Sequence, residues 1–187
     1  MQNEEDHRLM KAVGSGDVGK LATLYDRHQR PLFNFFLRLT GSRSASEDLV
    51  HDVFTRILKY RKSYGGQENF AAWMYRIARN AHIEHTRKRR FEVIAGAGEN
   101  QAEQVSPDPG PAQRAEYGQS VMLLRHALAK LPEERREVLI LSRFQNLRYE
   151  EIAQILDCEV GAVKVRVYRA MRQLEQIYNE LAGEKAS

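Results

Sequence analysis

Four cations crowd one stretch near the end of the chain: Lys164, Arg166, Arg169 and Arg172, with no acid among them before Glu175. Val163 and Val167 lie one helical turn apart between them and define the side such a helix would bury. The remaining faces are basic. An α-helix fits the major groove of B-DNA, where Lys and Arg pair with guanine edges or with phosphates. A second stretch, Phe70 to Ile83, interleaves aromatic and basic residues. Phe70, Met74, Ile77, Ala78 and Ala81 form a stripe suited to a core, whereas Arg76, Asn80, Ile83 and Arg87 fall at helical spacing on another face. That face runs into Arg87-Lys88-Arg89-Arg90 and can track a phosphate backbone; Tyr64, Trp73 and Tyr75 nearby can stack on unpaired bases. Trp73 serves equally well as a core residue. His82 and His85 are too closely spaced to form a metal pair on one helix face and read as surface residues. No nucleophile–base or carboxylate pair is placed for catalysis, and no Cys/His cluster has zinc-site spacing. The chain therefore reads as a nucleic-acid-binding protein and not an enzyme, with no metal and no cofactor.

The elements that must position these residues are helical. Apolar residues recur with helical period almost throughout, and alternating β-branched runs are scarce, so the expected class is all-α: two small helical domains joined by a flexible linker. The first domain is expected over residues 15–91. Asp17 can cap a helix with Leu21, Leu24 and Tyr25; Pro31 suits the first turn of the next, which carries Leu32, Phe33, Phe36 and Leu39 and stops at Gly41. Ser44 and Glu47 have capping-box spacing ahead of an amphipathic helix. Its apolar stripe includes Leu49, Val53 and Ile57, and Asp48, Asp52 and Arg56 face elsewhere. A polar loop, Tyr60 to Asn69, leads to the aromatic-basic helix.

Residues 92–118 hold Gly96, Gly98, Gly110, Pro107, Pro109 and Pro111 and few large apolar side chains, which is linker chemistry. The second domain is expected over residues 119–181. Pro132 followed by Glu133 and Glu134 starts one helix, with carboxylates at the positive end of its dipole. Tyr149 to Arg169 then has helix-turn-helix spacing. Ile152, Ala153 and Leu156 share a face of the short first helix, and Asp157 stands where the turn calls for a left-handed residue.

Composition agrees with a folded, solvated protein: 187 residues, 42% hydrophobic and 29% charged. The net charge of +4 argues only weakly for nucleic acid; the placement of the charge argues more. A single cysteine, Cys158, excludes an internal disulfide, and no apolar run approaches the ~20 residues of a membrane span. The N-terminus, with Glu4, Glu5 and Asp6, is unlike a signal peptide. The expected location is the cytoplasm, without membrane insertion.

Together the two domains resemble the sigma-70 family of RNA polymerase sigma factors, extracytoplasmic-function group. Asp48-Leu49-Val50-His51-Asp52-Val53-Phe54 resembles the family's polymerase-docking helix, and Phe70 to Asn80 its −10 helix. Leu131-Pro132, Tyr149-Glu150-Glu151-Ile152-Ala153 and Val160 to Arg166 resemble its −35-reading domain. The chain departs from the pattern at Arg148, where Ser or Thr is usual, at Asp157, where Gly is usual, and at Ala162 and Val165, where Thr and Ser are usual.

The resemblance implies that the protein binds core RNA polymerase and directs transcription initiation by reading two promoter elements. Lys164, Val165, Arg166, Tyr168 and Arg169 would meet the −35 element, with Arg166 on phosphate. Tyr64, Trp73, Arg76, Asn80, Ile83 and Arg87 would engage the −10 element, and Asp48, Asp52 and Arg56 the polymerase. The implied partners are the clamp coiled coil of the largest polymerase subunit, the flap of the second-largest, promoter DNA and an anti-sigma factor. A free-standing helix-turn-helix regulator is the alternative; the acidic docking helix and the aromatic-basic helix argue against it. A helical nuclease lacks a carboxylate cluster to hold its metal.

Overall fold

The computed structural model describes residues 2–66, 69–94, 114–145 and 147–184. They form eight α-helices, and the described residues contain no β-strand. The first four are α1 (Gln2–Gly14), α2 (Lys20–Thr40), α3 (Arg43–Lys59) and α4 (Phe70–Ile94), with a 3-10 turn at Arg61–Ser63. The other four are α5 (Arg114–Lys130), α6 (Glu133–Phe144), α7 (Tyr149–Leu156) and α8 (Val160–Glu184). The all-α expectation holds. The linker expected over 92–118 is entered by helix at both ends, and its residues 95–113 lie outside the described residues, as does Asn146 of the expected turn before α7.

The first bundle differs from the sequence reading in three places. Residues 2–14 are a helix where no element was expected: Met10 and Val13 are fully buried. Its Asp6 is buried and accepts from Arg27 at 2.9 Å and lies 2.8 Å from His28 Nε2, so α1 is fastened to α2 by partners distant in sequence. Pro31 does not begin a helix. It lies inside α2, which begins at Lys20 without a side-chain cap and runs unbroken to Thr40. Burial of Leu24, Leu32, Phe35, Phe36 and Leu39 along one side outweighs the ~3 kcal/mol cost of an internal proline. The cap of α3 is Ser42, not Ser44: its hydroxyl accepts from the Ala45 N–H at 3.3 Å, and Glu47 pairs with Arg43 instead. Gly41 ends α2 as expected, in a left-handed conformation (φ 70°) that returns its N–H to the Leu37 carbonyl.

In the second bundle, Leu131, Val138, Leu139, Ile140 and Leu141 meet Ile152, Ile155, Val163, Val167 and Ala170 in a core. α6 and α7 also rest on α2 and α4, so the two bundles touch. Among the described residues no helix is long and apolar enough to cross a membrane.

Asp157 is left-handed as its position required, at φ 50° and ψ 57°, and is the one non-glycine residue with positive φ among those described. A β-branched side chain there meets the carbonyl clash that Asp tolerates and Gly avoids. Asp157→Val is expected to lower thermal stability by about 1–2 kcal/mol, and Asp157→Gly to leave it unchanged or raise it slightly. Calorimetric unfolding of the full chain checks both.

Candidate nucleic-acid and polymerase interfaces

The helix-turn-helix is built from the bottom of α7 upward. Arg148 occupies the N-cap with no side-chain acceptor to offer, so only half of a capping box survives. Glu151 reaches back to accept from the Arg148 N–H at 2.7 Å, and also from its guanidinium at 3.2 Å. At the other end the left-handed Asp157 turns the chain, and Cys158 N–H closes onto the Ala153 carbonyl at 3.0 Å. This turn sets the start of α8. Val163, Val167 and Ala170 then face inward and are buried. With that spine fixed, Lys164, Val165, Arg166, Tyr168 and Arg169 all project into solvent. Val165 at 48% and Tyr168 at 67% exposure are large apolar groups left wet beside three cations. A methyl-bearing and an aromatic group among cations suit a surface that meets thymine methyls and base edges as well as phosphates. Arg172, further along, lies 4.0 Å from Glu175.

The aromatic-basic helix divides largely as its period predicts, except that Ile77 is only half-buried and Tyr75, read above as able to stack on bases, is buried. Phe70, Met74, Ala78 and Ala81 are buried, Asn80, Ile83 and Arg87 are exposed, and Arg76 is half-buried. Tyr64 and Trp73 are not on that open face. Both are buried with ring centroids 5.1 Å apart, in a cluster with Phe70, and the Tyr64 hydroxyl lies 3.0 Å from His7 Nδ1. Of the two roles open to Trp73, stacking and core, its surroundings are those of a core residue. The loop before α4 keeps a different ring in water: Tyr60 is 46% exposed with Lys59 Nζ 5.4 Å above it. Nothing in the sequence marks out Tyr60, because a tyrosine at a helix end looks the same whether it packs or not. His82 corrects an expectation: it is buried, not a surface residue, because the second bundle covers it. Among the described residues no group of His, Cys, Asp or Glu is arranged to hold a metal ion.

On α3, Asp48 is exposed and Asp52 half-exposed, off the stripe of Leu49, Val53 and Ile57. Arg56 is placed between elements. Its Nε donates to both Asp52 oxygens at 3.0 Å, and its two terminal nitrogens donate to Glu84 of α4 at 3.1 and 2.7 Å. Hydrogen bonds from Arg56 and its positive charge hold the Glu84 carboxyl below the usual carboxylate range. Arg56 thus ties α3 to α4 and fixes the rotamer of Asp52. A second, apolar surface opens on the other bundle: a groove of about 830 Å³ between α5 and α8, lined by Val121, Leu124, Met171, Leu174 and Tyr178.

The chain is similar to known proteins over most of its length. Residues 24–92 match the family described as sigma-70 region 2, and residues 122–174 match sigma-70, region 4. The chain is 35% identical over 143 residues to the ECF RNA polymerase sigma factor EcfG of Rhodopseudomonas palustris, covering 76% of each protein. It is 30% identical over 173 residues to the ECF RNA polymerase sigma factor SigL of Mycobacterium tuberculosis, covering 92% of this chain and 96% of that one. Among solved structures, the sigma factor RpoE of Bartonella quintana, crystallised with the anti-sigma factor NepR, superposes with a TM-score of 0.70 at 28% identity, over 84% of this chain and 96% of that one. CnrH, in complex with the cytosolic domain of CnrY, shares the fold with a TM-score of 0.69 at 22% identity, over 94% and 97% of the two chains. The helix-turn-helix, the aromatic-basic helix and these relatives agree: the chain belongs to the extracytoplasmic-function group of sigma-70-family RNA polymerase sigma factors.

Proposed function

We propose that this sigma factor reads promoters through two DNA faces that stand on separate bundles. The observation that carries this reading is the solvent-facing set on α8, Lys164, Val165, Arg166, Tyr168 and Arg169, held outward by the buried Val163–Val167–Ala170 spine. In this reading residues 119–181 take the −35 element in the major groove, with Arg169 on a base edge and Arg166 on phosphate. Residues 15–91 take the −10 element: Arg76, Asn80, Ile83 and Arg87 follow the separated strand, and the Tyr60–Asn69 loop receives an unpaired base. Flipping that base costs a few kcal/mol, which stacking and a fitted pocket offset. Tyr64 and Trp73 support the loop and α4 from beneath, and stack on DNA only where the strand displaces their cover.

Asp48 and Asp52 dock on the polymerase clamp, with Arg56 acting through Asp52 as a positioning residue. The groove between α5 and α8 faces the flap. Nucleotide chemistry belongs to the polymerase, so this chain supplies recognition and strand separation only. An anti-sigma partner is suggested by the RpoE–NepR complex. A cytoplasmic location follows from the polymerase it serves. Promoter-dependent run-off transcription by core polymerase, with and without the chain, tests the whole reading: transcripts that do not depend on added chain contradict it.

The surfaces separate by mutation. Asp48→Ala is expected to weaken binding to core polymerase without loss of helicity, because Asp48 is exposed and off the apolar stripe. Asp52→Ala removes the same charge but also releases Arg56, so its effect on thermal stability is expected to be larger. Titration of labelled protein with core enzyme, beside thermal melts, distinguishes them.

Arg76→Ala with Asn80→Ala is expected to spare the closed promoter complex and reduce permanganate reactivity of −10 thymines. Normal strand opening on a duplex promoter would remove this face from the mechanism. On α8, Arg169→Ala is expected to relax −35 preference by roughly 1–3 kcal/mol of discrimination. Arg166→Ala instead weakens all sequences alike and reduces the salt slope by about one. Binding of −35 variants at several salt concentrations, measured with holoenzyme, is the readout.

A further inference from the structure

α1 carries two seams on adjacent faces. Asp6, Met10 and Val13 recur with helical spacing and are buried. His7, Lys11 and Gly14 follow one position later with the same spacing and make a second stripe beside the first. The first seam is the one with α2, where Asp6 meets Arg27 and His28. The second meets the 3-10 turn and the residues that follow it. His7 Nδ1 lies 3.0 Å from the Tyr64 hydroxyl, and the two rings meet edge to face with centroids 5.7 Å apart. Two glycines let the stripe come close. A Cβ at Gly14 would stand 3.1 Å from the Arg61 carbonyl oxygen. A Cβ at Gly66, where φ is 71°, would stand 2.6 Å from His7 Cε1 and 2.9 Å from Lys11 Cε. A side chain at position 66 would therefore push the second stripe away from the chain it covers.

Both seams end on the rings at the start of α4. His28, held by Asp6, lies 5.3 Å from the Phe70 ring. Tyr64, met by His7, lies 6.1 Å from Phe70 and 5.1 Å from Trp73. Two consecutive residues of α1 thus reach the first turn of α4, one through α2 and one through the segment between α3 and α4. The turn's own hydrogen bonds are local: the Ser63 N–H donates to the Tyr60 carbonyl and Arg61 Nη1 to the Leu58 carbonyl, each at 2.8 Å. Local bonds shape a turn without aiming it. Its aim relative to α4 comes from the Tyr64 ring and from α1.

The second stripe is not needed to pack α1. Met10 and Val13 are fully buried, whereas His7 and Gly14 are half-buried and Lys11 is exposed. What His7, Lys11 and Gly14 do is lie against residues 61–66.

We propose that α1 is a strut for the segment that receives the unpaired −10 base, and that His7 is its positioning residue, acting through Tyr64 and beside Gly66 to hold residues 61–66 in the receiving shape. The effect on DNA rests on the −10 reading proposed above; the strut itself does not. His7 touches no base. Discrimination between bases requires recognition groups held within about 0.5 Å of the productive geometry. Loss of the His7 contact is therefore expected to blur the choice of base at the one position this segment receives, and to leave the other −10 positions and the −35 element read as before.

Three substitutions in the full chain test it. His7→Ala removes the contact at a half-buried position and leaves Asp6 in place. His7→Asn keeps a polar atom as far from the backbone as Nδ1, and its amide can donate or accept. Tyr64→Phe keeps the ring and removes the hydroxyl. Hydrogen exchange of the free chain reads the strut: amides of residues 61–66 are expected to exchange about fivefold faster in His7→Ala, the worth of one hydrogen bond, with α2 and α3 unchanged and His7→Asn at the wild-type rate. Unchanged exchange at 61–66 overturns the strut.

Holoenzyme binding to promoters opened over the −10 element, carrying each base in turn at each non-template position, reads its consequence. His7→Ala and Tyr64→Phe are each expected to lower the base preference about fivefold at one position, the double variant to lose no more than either single one, and His7→Asn to restore it. Additive losses, a loss spread over every position and the −35 element alike, or failure of His7→Asn to restore the preference overturns the positioning role. Wild-type holoenzyme with no base preference at any −10 position sinks the proposed function and leaves the exchange test standing.

Discussion

The burial of one stripe of α4 is the constraint on which the rest of the molecule depends. Phe70, Met74, Ala78 and Ala81 are locked into the first bundle, and this fixes the rotation of the whole helix. Every other face of α4 then has an assigned direction. One turns Asn80, Ile83 and Arg87 to solvent. Another takes Glu84 to Arg56 and so couples α4 to the acidic side of α3. A third presents Arg79 and His82 to the second bundle. A helix with 3.6 residues per turn can serve a core, a ligand and a neighbour only if its small residues lie where the core is closest, and Ala78 and Ala81 do.

The same logic governs α8 in miniature. Its spine of Val163, Val167 and Ala170 determines which side chains are presented, and the left-handed Asp157 determines where the helix begins. What α4 and α8 hold outward is a set of cations, with an amide on α4 and an aromatic ring on α8. The contacts between the bundles add a constraint on a larger scale: α6 and α7 rest on α2 and α4, and Arg79 pairs with Glu137 across the seam.

Much of this was legible in the sequence because it is local. The helix-turn-helix follows from apolar spacing plus a residue that tolerates positive φ, and both are read within twenty positions. The division of α4 into a buried stripe and a polar face follows from period alone. What escaped was decided by partners far along the chain. α1 is polar and acidic, and its stability comes from Met10 and Val13 in the core and from Asp6 meeting Arg27 and His28. His82 reads as a surface residue until α6 covers it. Pro31 looks like a helix start by propensity, and burial on both sides of it carries α2 through. The cap at Ser42 in place of Ser44 is a smaller case: two serines two residues apart offer the same chemistry, and Gly41 decides between them by ending the preceding helix.

The central claim is that α4 and α8 present the two promoter-reading faces. Site-specific photo-crosslinking in the assembled holoenzyme on a duplex promoter tests it most directly. A photoreactive side chain replacing Ile83, and in a separate protein Tyr168, probes each face at an exposed position. Crosslinks from position 83 to the non-template strand of the −10 element, and from position 168 to the −35 duplex, are the predicted result. Crosslinks from both positions to one element, or none from position 83 once the strands have separated, would contradict it.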